Sequence, residues 1–272
     1  MKTTVRIEER NNAYIMKYNY LVPPNSIGEY VNSILVIEDF EIVNPFTLPL
    51  FANGCPTLIF QTKKVLVNKE LSGHFTLFGQ TIKPGALTIH ENFTLIAYFF
   101  KPHSLMSLFN VAGNELSDTH VDLNLLKQSD SGALQEKLLN CQSADDMVLL
   151  LNQYVLSRIN KKKTDTSKIG FAIDLIRNNS ASNSLKPIQN TLCVTEKTLQ
   201  RMYEKNIGIS PRMYKRVCQF NAAFQQLNFR NFLKFSDIAY QNDYADQSHF
   251  IRAFKEFTNL TPKEYLRFGS TR

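Results

Sequence analysis

Residues 237–255 read DIAYQNDYADQSHFIRAFK, and the periods in this stretch decide the fold of the second half of the chain. Ser236 and Asp237, both N-cap residue types, precede Ile238-Ala239-Tyr240, and Gln241-Asn242-Asp243 has turn chemistry. Asp246 then caps a second predicted helix running to about Phe257. On that helix Phe250, Ala253, Phe254 and Phe257 share one face, while Ser248, His249, Arg252 and Lys255 share the other. Core packing accounts for the aromatic face. It does not account for an opposite face that is polar and basic rather than mixed in charge.

The unit occurs twice. At an offset of 51, Leu199-Gln200-Arg201-Met202-Tyr203 faces Phe250-Ile251-Arg252-Ala253-Phe254, and Gly208-Ile209-Ser210-Pro211 faces Asn259-Leu260-Thr261-Pro262. In the first copy Leu199 and Tyr203 point inward, leaving Lys197, Gln200, Arg201 and Glu204 outward. Ser210-Pro211 and Thr261-Pro262 each set an N-cap before a proline at the first helical position. Between the copies Met213, Val217, Phe220, Phe224 and Leu227 recur at spacings of 4, 3, 4 and 3, which predicts one long connecting helix. A helix, a turn and a second helix with a polar outer face fit a DNA major groove. There Arg can hold guanine O6 and N7, Gln can hold adenine N6 and N7, and cations meet phosphates.

Charge is divided along the chain. Residues 1–160 carry 12 Lys+Arg against 15 Asp+Glu, a net of −3, while residues 161–272 carry 19 against 9, a net of +10. A mildly acidic half joined to a basic half suits a sensor attached to a polyanion binder, although a lysine-rich surface by itself means only solubility. The polar segment Arg158–Lys168, with Lys161, Lys162 and Lys163, reads as the linker.

The first half has a different texture. Pro23-Pro24, Pro45, Pro49, Asn53-Gly54, Pro56 and Pro84-Gly85 punctuate short apolar runs, among them Thr57–Gln61, His74–Phe78 and Phe93–Phe100. This spacing predicts an antiparallel barrel or sandwich, cupin-like in outline, to about residue 127. Two amphipathic helices over 131–160 follow, with stripes such as Val148, Leu151 and Val155 that serve a core more readily than a dimer seam. His74, His90, His103 and His120 form no HxH or HExxH pair, and GxSxG, GxGxxG and GxxxxGK[ST] are all missing. No catalytic group and no metal site are expected. A barrel interior leaves room for one small effector, whose lining the sequence does not identify.

Residues 168–268 resemble the DNA-binding domain of AraC/XylS-type transcription regulators. The resemblance rests on Asp237-Ile238-Ala239, the run Tyr244 to Lys255, Leu260-Thr261-Pro262 and Tyr265. It implies two helix-turn-helix units whose recognition helices enter successive major grooves. By position, the base-facing residues would be Lys197, Gln200 and Arg201, then Gln247, Ser248, His249 and Arg252; the basic charge of this half separately makes Lys255 the expected phosphate contact. The chain departs from the family at Asp243 and Cys193, where glycine is usual in the two turns, and at Gln189, where a small residue is usual. The first half resembles more weakly the β-rich sensor or dimerisation domains fused to such regulators. The whole reading is an α+β protein: a β-rich N-terminal regulatory domain (1–160), then an all-α DNA-binding domain (161–272) of two helix-turn-helix units joined by a long helix.

The remaining features bound the alternatives. Hydrophobic residues make up 43% and charged residues 20%, too apolar for a disordered chain. No apolar stretch approaches the ~18 residues of a membrane span, and MKTTVRIEER at the start has no signal-like apolar run. Cys55, Cys141, Cys193 and Cys218 lie far apart, as free thiols of a reducing cytoplasm do. A DNA-repair enzyme with a fused helix-turn-helix domain would need a cysteine cluster to hold zinc and activate a thiolate, and Cys55 stands alone between Gly54 and Pro56. A basic module binding an acidic protein is the third class, separated from the first by selection of a defined duplex sequence. The expected partners are double-stranded DNA, a small-molecule effector in the first half, a second copy of the chain and, for an activator, RNA polymerase. No cofactor and no membrane association are expected.

Overall fold

The computed structural model describes residues 3–9, 12–39, 45–126, 131–159, 166–178 and 184–268 of the chain. The strands are β1 (Thr3–Glu9), β2 (Asn12–Leu21), β3 (Val31–Asp39), β4 (Phe46–Leu50), β5 (Thr57–Gln61), β6 (Val65–Val67), β7 (Glu70–Ser72), β8 (Phe75–Phe78), β9 (Gly85–Ile89), β10 (Phe93–Phe100) and β11 (His120–Asp122). They form two antiparallel sheets, in the orders β1-β2-β3-β10-β5-β8-β11 and β4-β9-β6-β7. Of the expected barrel and sandwich, the chain builds the sandwich, and the described strands do not close into a barrel.

The sequence of β10, FTLIAYFF, explains the layering. Successive side chains on a strand point to opposite faces. Phe93, Leu95 and Ala97 enter the core between the sheets, with Ile37, Ile59, Leu87 and Ile89. Ile96, Tyr98 and Phe100 enter a second core on the other face, with Leu58, Phe60 and the helices that follow. Those helices are α1 (Ser104–Phe109), α2 (Ser131–Leu139) and α3 (Ala144–Arg158). Both faces are covered, so the run is apolar without alternation. The Tyr98 hydroxyl ties the sheet to α3, donating to Val148 O at 3.2 Å and Asn152 Oδ1 at 2.9 Å. The Ser143 hydroxyl accepts from the Asp146 amide and caps α3, whose Val148, Leu151 and Val155 are buried while Leu149 and Leu156 stay exposed.

The C-terminal part holds α4 (Ser167–Asn178), α5 (Lys186–Leu192), α6 (Glu196–Asn206), α7 (Pro211–Asn228), α8 (Phe235–Gln241), α9 (Gln247–Thr258) and α10 (Pro262–Phe268). Most of the expected linker, residues 160–165 with Lys161, Lys162 and Lys163, lies outside the described residues, as does the boundary placed between 160 and 161. The expected connecting helix is α7. Its fully buried stripe is Tyr214, Val217, Phe220, Ala223 and Leu227, with Met213 and Phe224 packed at the margin.

Helix α8 begins earlier than the sequence pattern predicts. Ser236 and Asp237 do not cap α8 as N-cap residues, because the helix starts earlier and Lys234 holds the N-cap position in extended backbone. Asp237 instead reaches back from the third helical position, and its carboxylate accepts from the Lys234 amide at 2.8 Å and the Leu233 amide at 3.2 Å. The two halves of the chain touch. Ala52 is buried in the C-terminal core, with Phe51 and Ile82 packed against it.

Candidate nucleic-acid interface

Each predicted reading helix is built in the same way. Thr195 caps α6, its hydroxyl accepting from the Thr198 amide at 3.2 Å, and Asp246 caps α9, its carboxylate accepting from the His249 amide at 2.7 Å. Inward, α6 buries Leu199 and Tyr203, and α9 buries Phe250, Ala253, Phe254 and Phe257. The aromatic ring of Phe220 on α7 meets Phe254 and Phe257 at centroid distances of 5.7 and 4.9 Å. Anchoring of this kind fixes the rotation of α9 about its own axis, and so decides which side chains face out.

All eight residues expected to touch DNA are exposed: Lys197, Gln200 and Arg201 on α6, and Gln247, Ser248, His249, Arg252 and Lys255 on α9. Some are already oriented. Gln200 Nε2 donates to Glu204 Oε1 at 2.9 Å. The His249 ring stands edge-on to Tyr244 at 5.3 Å, and its Nδ1 accepts from the Ala245 amide, which leaves Nε2 as the outward atom. The second face is the more basic. At the offset of 51, α6 carries Glu196 and Glu204 where α9 carries Gln247 and Lys255. Glu196 is further engaged by Arg212 at 3.2 Å.

Both turns survive without glycine. Cys193 has φ 52° and Asp243 has φ 58°, the left-handed backbone that glycine adopts most readily. The predicted caps before the prolines are also formed. Ser210 accepts from the Met213 amide, and Thr261 accepts from the Glu264 amide while the Glu264 carboxylate accepts from Thr261. That pair of donated bonds holds the Glu264 carboxyl below its ordinary range.

The repeat offset also brings in residues beyond those eight. Thr198 occupies the place of His249, and Arg212 and Lys263 occupy equivalent exposed places in the first turns of α7 and α10. Away from this face, Cys55 receives a hydrogen bond from Asn32 Nδ2 at 3.3 Å, and burial pushes its thiol up to about 11. Among the described residues no three His, Cys, Asp or Glu side chains gather as metal ligands, and no helix is long and apolar enough to cross a membrane.

Residues 189–267 match the family described as helix-turn-helix domain, and residues 19–122 match a domain of unknown function, DUF6597. No curated protein matches the chain. Among solved structures the chain is similar to ToxT from Vibrio cholerae O395, with 17% identity, TM-score 0.48, and coverage of 84% of this chain and 98% of that one. Similarity extends to ToxT with bound unsaturated fatty acid from Vibrio cholerae strain SCE256, with 15% identity, TM-score 0.45 and coverage of 96% and 97%. The C-terminal domain of AraT, a response regulator from Geobacillus stearothermophilus, matches with 23% identity and TM-score 0.36 over 39% of this chain and 88% of that one.

Proposed function

We infer that this protein is a DNA-binding transcription regulator, with an AraC-type helix-turn-helix domain at its C-terminus and a β-rich regulatory domain before it. Two equivalent helices, α6 and α9, each turn an exposed polar face outward, and one rigid helix, α7, joins them. That pairing is the observation that carries the reading. Each helix lies in a major groove. Arg201 and Arg252 supply the donors best suited to guanine, Gln200 and Gln247 suit adenine, and Lys197, Ser248 and His249 supply further contacts to base edges. Lys255, with Arg212 and Lys263, meets the phosphates and makes binding steeply dependent on salt.

The other classes draw less support. A thiol pushed up to about 11 is a poor nucleophile, so Cys55 does not suit alkyl transfer, and the regulator has no catalytic role in this reading. The β-rich domain, placed at residues 1–160, serves regulation. The seven-residue spacing of exposed Leu149 and Leu156 on α3 supports pairing with a second copy. Contact with RNA polymerase follows only for an activator, and the working place of the protein is the cytoplasm, beside the DNA.

Selection of binding sites from random duplex DNA by the purified full-length chain tests the proposal. A defined site with two conserved blocks about one helical turn apart, ~34 Å, is the expected result. Retention of DNA with no enriched sequence would overturn the reading in favour of a general polyanion binder.

A further inference from the structure

The first reading helix does not rest on its own domain alone. The C-terminal end of α6 abuts a 3-10 turn of the β-rich domain, Gly113–Glu115, and α6 leans on this turn more than on its own partner α5. The approach is backbone to backbone. A Cβ built on Gly113 would lie 2.5 Å from the Ile207 carbonyl carbon and closer still to the Gly208 nitrogen, distances no real Cβ tolerates. Ser117 closes the contact. Its hydroxyl donates to the Gly208 carbonyl at 2.5 Å and lies 3.2 Å from the Gly113 carbonyl.

The second unit supplies the comparison. Asn259 stands where Gly208 stands in the first, ends α9 in left-handed backbone with φ 61°, and is exposed. A side chain is therefore acceptable at this position of the unit. Gly208, with φ 100°, has no room for one, because a Cβ there would lie 2.5 Å from the Gly113 carbonyl oxygen. The backbone angle itself already favours glycine here, and the atoms that take up the remaining space belong to the other domain. The β-rich domain also reaches the connector and the last helix. Phe51 meets Phe224 and Tyr265 at centroid distances of 5.6 and 6.1 Å, and Gly54 sits over Val217 and Asn221. None of this covers Lys197, Gln200 or Arg201, which stay exposed, so the docked arrangement leaves α6 free to read. α9 is held differently: Arg216 of α7 pairs with Glu256 of α9, and α8, which packs against α9, is tied to α7 by Gln219 Nε2 donating to Asn242 O at its end.

We propose that Gly113 and Ser117 of the β-rich domain are positioning residues for the first recognition helix, so that base reading by α6 depends on domain docking while base reading by α9 does not. The proposal rests on the function inferred above. It makes the first block of the site the one that the β-rich domain can control, by holding or releasing the end of α6.

Site selection and competition binding with full-length Gly113→Ala and Ser117→Ala test it. Each variant is expected to lose about fivefold or more of its base preference in the block read by Lys197, Gln200 and Arg201. The block read by Gln247, Ser248 and Arg252 should be kept. Ser117→Ala removes one hydroxyl and carries the test if Gly113→Ala does not fold. Equal loss in both blocks would reduce the contact to general stability and overturn the proposal. So would full retention of both blocks by both variants while the wild type selects a two-block site. A wild type that selects no sequence would instead overturn the regulator reading itself, and this inference with it.

Discussion

Arg216 Nη2 lies 2.6 Å from Glu256 Oε2, and the same guanidinium sits 5.5 Å from the centre of the Phe257 ring. One side chain of the connecting helix therefore holds both an acidic and an aromatic residue of α9. Both members of the ion pair are near half exposed, at 42% and 49%, so the charge contributes only ~0–1 kcal/mol. Stacking on the ring adds about 0.5–1 kcal/mol. Arg216→Ala is expected to cost about 1 kcal/mol in urea unfolding. Arg216→Lys should recover part of that, since lysine restores the charge without the planar stack. An unchanged midpoint and slope in the alanine variant would remove the pair from the account of how α9 is fixed.

The two left-handed turn residues should respond unequally to glycine. An L-residue in this backbone region bears ~1–2 kcal/mol of steric cost, and Asp is among the few that visit it routinely. Glycine relieves the cost but adds freedom to the unfolded chain worth about 0.5–1 kcal/mol. Cys193→Gly, at φ 52°, is therefore expected to raise stability by about 0.5–1 kcal/mol. Asp243→Gly, at φ 58°, should change it little. Thermal unfolding of both variants decides this, and a larger gain at Asp243 would contradict the steric argument.

These turns also mark how far the sequence could be read. Phe250, Ala253, Phe254 and Phe257 repeat every three or four residues, and helix α9 buries all four, because a helical period and an apolar type together specify a face. The start of α8 was less legible, since an acid at the N-cap and an acid two or three residues later look alike until the backbone of Lys234 is known. α1 was not foreseen at all, being six residues long and too short to display a period. The docking of Ala52 into the C-terminal core left no trace in any local pattern. Contacts between distant loops follow from shape, and neither Gly113 nor Gly208 announces its partner.

Acid should weaken the fold through two histidines. The His103 imidazole is held below its ordinary value of 6.5 by burial and by Lys101, against the opposing pull of Asp174 and Glu29. The His120 ring, stacked on Phe78 at 5.2 Å, is lowered by burial, with Glu70 opposing. A lowered folded value means that the unfolded chain binds the proton more readily, so stability rises with pH through this range. Above the ordinary value both forms are neutral and the groups contribute no pH dependence; below it stability is lost. Unfolding followed from pH 7.5 to 5.5 should show this decline, and His103→Gln should flatten it. A variant as steep as the wild type would relieve His103 of the effect. Its Cε1 lies 3.9 Å from the site of a Cβ on Gly170 of α4, so the charged ring would arise where the two halves of the chain meet.

Arg201 and Arg252 hold equivalent positions in the two units, and both are exposed. If each makes a good bidentate base contact, replacing either with alanine should cost about 1–3 kcal/mol at the selected site and relax one base position. The surroundings differ, however. α6 carries Glu204 where α9 carries Lys255, so the first face is less attractive to phosphate and its share of the affinity should be the smaller one. The expected order is therefore a greater loss for Arg252→Ala than for Arg201→Ala, with each variant blurring a different block of the site. Lys255→Ala should lower the slope of log K against log salt by about 0.9 without changing which bases are preferred. Methylation interference across the selected duplex supplies the spatial check. Two blocks of interference in adjacent major grooves on one face of the duplex are expected from a single chain, because α7 joins the two units as one continuous helix. Interference confined to one groove, with Arg201→Ala indistinguishable from the wild type, would leave α9 as the reading helix and α6 as structural support.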